Sequence, residues 1–251
     1  MKLVIEKSVT VITPTIGKDE LKDAVESVAN QTYKNITHLV VVDGPEFRSD
    51  INEYEFLDYN VDICVAPYNT GGSGFYGHRI YAAFPHLVNS DYIAFLDEDN
   101  WYEPDHIASL VETLKKGELD FSYSFRKIYD KQKNYLCEDN CESLGRWPVW
   151  PMLDHYTNTT NSHFPYLIDT SSFLFKREFL TTNCQLWSSG WGGDRRYLSH
   201  VWKTARYLPT GKHSLCYRLD GNEGSVGAEF FEKGNKKTLE YYGGNLPWKK
   251  T

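Results

Sequence analysis

Long apolar runs are missing from this 251-residue chain. No stretch reaches the roughly 18 consecutive apolar residues that a membrane-spanning helix needs, so no span is expected. Excess positive charge is missing too. The 27 Lys and Arg are outnumbered by 34 Asp and Glu, a net charge of −7, and such a balance disfavours a nucleic-acid partner gripped by its phosphates. The opening residues, MKLVIEKSVTVITP, lack a small-residue cleavage site, and Glu6 and Lys7 interrupt their apolar character. They read as a strand and not as a secretory leader. Cysteine is sparse and odd in number, at 64, 137, 141, 184 and 216. Without a leader, that usage reads as reduced thiols in a cytoplasmic setting. Cys137 and Cys141 are spaced to clip a metal, but no second cysteine pair or histidine pair accompanies them, so zinc is not expected.

What is present supports a sizeable core: 41% of residues are hydrophobic and 15% aromatic, too many for wholesale disorder. Strand and helix patterns alternate four times over the first 116 residues. Strands are expected at 8–14, 36–42, 61–66 and 92–96. Helices are expected at 19–30, 46–60, 75–87 and 104–116. That alternation is the mark of an α/β fold, a doubly wound and mostly parallel sheet. After Gly117 the pattern changes. Residues 121–128 alternate as an antiparallel strand would, and 168–176 is again strand-like. A helix is expected over 195–203, with two short strands at 206–208 and 214–218. The tail from Asp220 is poorly patterned. One domain is expected, with 1–116 as its ligand-binding half and 117–251 shaping a second substrate.

The chemistry concentrates in YIAFLDEDNWYEPDH, residues 92–106. An apolar strand breaks there into three carboxylates, Asp97, Glu98 and Asp99. Crowded carboxylates raise one another's pKa unless a cation sits between them. The C-terminal ends of strands in an open α/β sheet are also where ligands bind. A solvated acidic turn is the plainer reading of such a triplet alone. Gly72-Ser73-Gly74-Phe75-Tyr76-Gly77 forms a G-x-G-x-x-G, which raises the prospect of a dinucleotide site. Against it, Pro67 to Thr70 separate the glycines from the preceding strand, and the acid that follows belongs to a triplet. A loop cradling a diphosphate is the better reading.

Two blocks, residues 9–45 and 69–107, resemble the inverting family 2 glycosyltransferases with their GT-A fold. The matching features are a strand ending in T-P-T, a helix closing with S-V-x-x-Q-T-Y, a second strand ending at Asp43, and the NTGGSG…FLDEDN block. SGWGGDRRY, residues 189–197, is similar to the family's acceptor-side acid block. The resemblance implies a nucleotide-sugar donor, of which a UDP-sugar is the first choice, and a carbohydrate or glycoconjugate acceptor. It implies Mn²⁺ or Mg²⁺ held by Asp97 and Asp99, with Glu98 structural. It implies donor contacts from Thr13, Pro14, Asp43, Gly72, Arg79 and Asp97. Asp194 is the implied catalytic base, since an inverting displacement needs one carboxylate at the acceptor hydroxyl. The plainer reading of Asp194 is a helix cap, and Asp154, Asp169 and Glu223 are then next in line. Trp147, Trp150 and Trp191 are candidates to face the acceptor. The family's late histidine ligand has no counterpart in Tyr217-Arg218-Leu219, and His213, a few residues upstream, reads as a surface histidine. A nucleotidyltransferase and a non-catalytic nucleotide-sugar-binding module stay open as alternatives.

Overall fold

The computed structural model of the chain describes residues 6–52, 56, 58–150, 164–219 and 226–250. Its first strand, β1 (Val9–Thr15), is buried along its whole length, as expected for a β-branched run covered on both faces. Helix α1 (Leu21–Ala29) buries Leu21, Ala24, Val25 and Val28, one stripe at helical spacing. Strands β2 (Ile36–Val42) and β3 (Val61–Val65) continue the sheet outward in parallel. After α2 (His78–Ala83), strand β4 (Tyr92–Phe95) pairs in parallel with the other side of β1. The winding therefore reverses between β1 and β4, and a cleft opens at such a reversal.

The rest of the chain extends the same sheet. It supplies β5 (Trp101–Tyr102), α3 (His106–Lys115), β6 (Phe121–Tyr129), β7 (Tyr135–Glu138), β8 (Phe173–Lys176), α4 (Arg177–Asn183), α5 (Gly193–Val201), β9 (Tyr207–Arg218) and α6 (Ala228–Tyr241). Among the described residues the order is β3-β2-β1-β4-β8-β6-β9-β5, with β7 on β6. Strand β8 is antiparallel to both β4 and β6, while β6 and β9 run parallel. Alternation sorts the core. Ile12, Phe95, Phe173 and Phe175 pack on one face around Trp187, whereas Val11, Ala94 and Leu174 pack on the other against Leu110 and Leu114 of α3.

Several expectations need correction. Among its described residues the stretch 46–60 holds a 3-10 turn at Pro45–Asp50 and no α-helix, and Ile51 is already extended as it enters the core. Helix α2 begins at His78 and not at Phe75, because Ser73, Gly74 and Tyr76 all take positive φ in the preceding turn. The two short strands near the C-terminus are one 12-residue strand, β9. Its register with β6 slips between Tyr123↔Pro209 and Phe125↔His213, a bulge that absorbs the extra residues of Thr210, Gly211 and Lys212. The tail holds a 14-residue helix, α6, and α4 was not anticipated.

Candidate functional site

A cleft of about 510 Å³ opens at the C-terminal ends of β1, β2 and β4. Pro14, Thr15, Ile16 and Lys18 line it from β1 and the turn beyond, and Asp43 from the end of β2. Asn69, Gly71, Gly72, Tyr76, Gly77 and His78 line it from the glycine-rich loop, and Asp97 to Asn100 from the end of β4. Thr170, Trp191, Tyr217 and Arg218 close it from the second half of the chain.

Asp43 staples the glycine-rich loop. One carboxylate oxygen accepts from the Thr70 N–H at 2.8 Å and the Thr70 hydroxyl at 2.7 Å, and the other from the Gly71 N–H at 2.7 Å. Two glycines there are steric necessities. A Cβ on Gly71 would lie 2.5 Å from the Tyr76 carbonyl oxygen, and one on Gly77 would lie 2.7 Å from the Pro14 ring.

The acidic triplet divides its labour. Glu98 is buried and structural: it accepts from the Thr15 hydroxyl, from the Ile16 N–H at 3.2 Å and from the Lys18 N–H at 3.3 Å. Burial nevertheless raises its pKa, against the Thr15 hydrogen bond and the Lys18 charge. Asp97 accepts from the Tyr81 hydroxyl at 2.7 Å and the Ser171 hydroxyl at 3.1 Å. Burial first, and then the charges of Asp99 and Asp169, push its pKa up to about 7. Asp99 faces the Lys18 ammonium at 3.2 Å. Burial works against the Lys18 charge, but Asp99 and Glu98 outweigh it and hold its pKa above the usual lysine value.

These observations fit a divalent cation on Asp97 and Asp99. The donors are hard oxygens, which suit Mg²⁺ and Mn²⁺. Asp97 carries more negative charge around it than its neighbours neutralise, and a lysine already stands where a cation would. No group of three His, Cys, Asp or Glu side chains able to hold an ion occurs among the described residues. His213 is half-buried with its side chain only 8% exposed, so it is not a surface histidine. It packs on Phe125 and faces Glu138 at 3.7 Å, and it does not line the cleft.

Asp194 sits in the first turn of α5, whose cap is Gly192 in the left-handed conformation. The expected capping role therefore belongs to Gly192, while Asp194 gives the helix N-terminus a favourable charge. Its carboxylate accepts from the Arg195 N–H at 2.6 Å. Burial first, then the Asp169 charge, raises its pKa to about 7. The carboxylate is half-buried and not part of the cleft lining, but it is next to Gly193, which packs against the cleft residue His78. Any side chain at Gly193 would strike the His78 ring.

Other candidates are placed elsewhere. Thr13 is buried with its hydroxyl 2.9 Å from His38 Nε2, so it turns away from the cleft. Arg79 stacks 3.5 Å over the Phe75 ring, donates to the Thr70 carbonyl, and does not line the cleft. Trp147 packs on Trp248 and Phe125, and Trp150 on Phe230 of α6. Of the three candidate tryptophans only Trp191, 75% exposed, lies at the cleft. The fallback acids Asp154 and Glu223 lie outside the described residues.

Reading the sequence missed Lys18, Tyr76, Tyr81, Ser171 and Arg218. Lys18 carried a usable signal, since it stands three residues beyond the T-P-T strand end. Ser171 did not, because its role depends on β8 lying beside β4. Asp169 fixes that turn. It accepts from the Ser171 N–H at 2.9 Å and pairs at 2.8 Å with buried Arg126, which also binds Asp139 at 2.7 Å and Glu142 at 2.6 Å.

The family model described as glycosyl transferase family 2 matches residues 10–180. A glucosyl-dolichyl phosphate glucuronosyltransferase of Haloferax volcanii is 36% identical over 111 residues, covering 44% of this chain and 34% of that protein. Glycosyltransferase GlyA of Streptococcus pneumoniae is 26% identical over 132 residues, covering 50% of this chain and 18% of that protein. The chain thus spans about a fifth to a third of the length of these two relatives. In three dimensions it resembles residues 1–349 of Staphylococcus aureus TarS, solved with UDP-GlcNAc. The TM-score is 0.57 at 14% identity, over 93% of this chain and 66% of that one. The same TarS fragment solved with UDP gives a TM-score of 0.55 at 14% identity, over 93% of this chain and 65% of that one.

Proposed function

From the premise that this chain belongs to glycosyl transferase family 2 and has its GT-A fold, we propose that it is a metal-dependent, inverting glycosyltransferase. It takes a sugar from a nucleoside-diphosphate donor, a UDP-sugar in the first instance, and places it on an acceptor hydroxyl. One observation carries the reading. Asp43 from β2, the Gly71–Gly72 backbone and the Asp97/Asp99 pair from β4 converge on one cleft at the winding reversal, as a base, a diphosphate and a cation would each need. The UDP and UDP-GlcNAc in the two TarS structures support the choice of nucleotide.

In this reading the base lies toward Asp43 and Pro14, and the phosphates lie near Gly72 and the triplet. A divalent cation on Asp97 and Asp99 would supply neutralisation of the charge on the departing diphosphate. Tyr81 and Ser171 keep the Asp97 carboxylate oriented. Asp194, poised near neutral pH, accepts the acceptor proton, while the exposed Trp191 offers a flat apolar face to a sugar ring. Thr13, Arg79, Trp147 and Trp150 take no direct part. A thermal-shift panel of nucleotide sugars, with and without Mn²⁺, tests the reading. A UDP-sugar should stabilise the protein more in Mn²⁺ than without it. A panel in which no nucleotide stabilises the fold in either condition overturns the proposal.

A further inference from the structure

Two positive side chains, Lys18 and Arg218, and four acids, Asp43, Asp97, Glu98 and Asp99, line the described cleft. The wall is acid-rich, and a diphosphate cannot enter it without added positive charge. Arg218 is already committed. Its guanidinium is buried and donates to the Asp99 carbonyl at 3.0 Å, to the Lys131 carbonyl at 3.3 Å and to the Asp23 carboxylate. Lys18 is differently held. Its backbone is pinned to Glu98 through the Ile16 and Lys18 N–H groups. Gly17, at φ 84°, makes the tight turn that allows this, and a Cβ there would lie 2.5 Å from that of Asp50. The Lys18 side chain is 40% exposed, and among the described residues its ammonium pairs with the triplet alone, at 3.2 Å from Asp99 and 4.0 Å from Glu98. A fixed stem thus carries a movable charge.

We propose that Lys18 is a tethered counter-ion that occupies Asp99 before the donor arrives, yields it to the divalent cation, and then binds the diphosphate. Two like charges drawn to one carboxylate repel each other, so metal and ammonium compete for Asp99. The released ammonium has a compact charge and a four-carbon stem, which lets it swing from the carboxylate to a phosphate within the same cleft. The metal part of the inference stands without the transferase reading; the diphosphate part rests on it.

The test uses Lys18→Met, which keeps the stem and removes the charge. Mn²⁺ binding without nucleotide is measured by electron paramagnetic resonance on wild type and variant, followed by titration with UDP and UMP in saturating Mn²⁺. Loss of the competing ammonium should tighten Mn²⁺ about three- to tenfold. UDP should weaken by roughly the same factor while UMP stays within about twofold. Unchanged or weakened Mn²⁺ binding in Lys18→Met overturns the inference and leaves the transferase reading intact. UMP weakened as much as UDP removes the diphosphate role. A wild type that binds Mn²⁺ but no UDP contradicts the transferase reading instead.

Discussion

A carboxylate at Asp194 costs the fold stability and is kept. Its pKa, raised to about 7 by burial and by Asp169, means that the folded chain holds that proton more tightly than the unfolded chain does. The penalty is therefore absent below the ordinary carboxylate pKa of about 4 and fully present above about 7. Asp194→Asn should raise the melting temperature by a few degrees at pH 8, with the gain shrinking toward pH 4. As a general base the carboxylate must be ionised, so transfer should fall as pH drops below about 7. In Asp194→Asn, kcat should drop on the order of 10²- to 10⁴-fold with donor affinity within about twofold. Calorimetry at the two pH values and kinetics on the same protein check both halves. A stabilised variant with near-normal kcat would leave Asp194 outside the chemistry. At this scale the sequence pointed to Asp43, Asp97 and Asp99, which line the cleft, because they follow the apolar runs of β2 and β4. It could not disclose that Thr13 turns to His38, or that Ser171 serves Asp97, since both depend on which strands are neighbours.

Helix α6 shows why some elements stay hidden. Its buried positions are Phe231, Gly234 and Thr238, a helical stripe in spacing but not in hydropathy. Two of the three are small or polar, so the periodic signal is lost. Gly234 is required by packing: a Cβ there would lie 2.5 Å from Trp150 and 2.7 Å from Cys141 Sγ. Alanine favours a helix over glycine by about 1 kcal/mol, while overpacking costs about 1–3 kcal/mol. Gly234→Ala should therefore destabilise the protein by about 1 kcal/mol net, read from urea midpoints. A stabilising result would mean that α6 is not packed on Trp150. Strand β9 was hidden for another reason. Its middle, Thr210 to Lys212, bulges out of register with β6, so no continuous alternation runs through it.

Across the whole molecule, the parallel half was legible apart from the turn at Pro45–Asp50, while in the second half β6, β8 and α5 were legible and α4, α6 and the continuity of β9 were not. The first is built from local repeats of strand and helix, each with its own period. The second is held by distant partners, as where Arg126 on β6 gathers Asp139, Glu142 and Asp169, a cluster no spacing rule would find. That half nevertheless supplies the Ser171 turn behind Asp97 and the Trp191 lip. The central claim is that Asp97 and Asp99 make nucleotide binding depend on a divalent cation. Isothermal titration of UDP into wild type and Asp99→Ala, each with and without Mn²⁺, tests it most directly. Wild type should bind UDP at least about tenfold more tightly with Mn²⁺, and Asp99→Ala should bind it weakly and alike in both conditions. Equal UDP affinity in all four titrations would contradict the account.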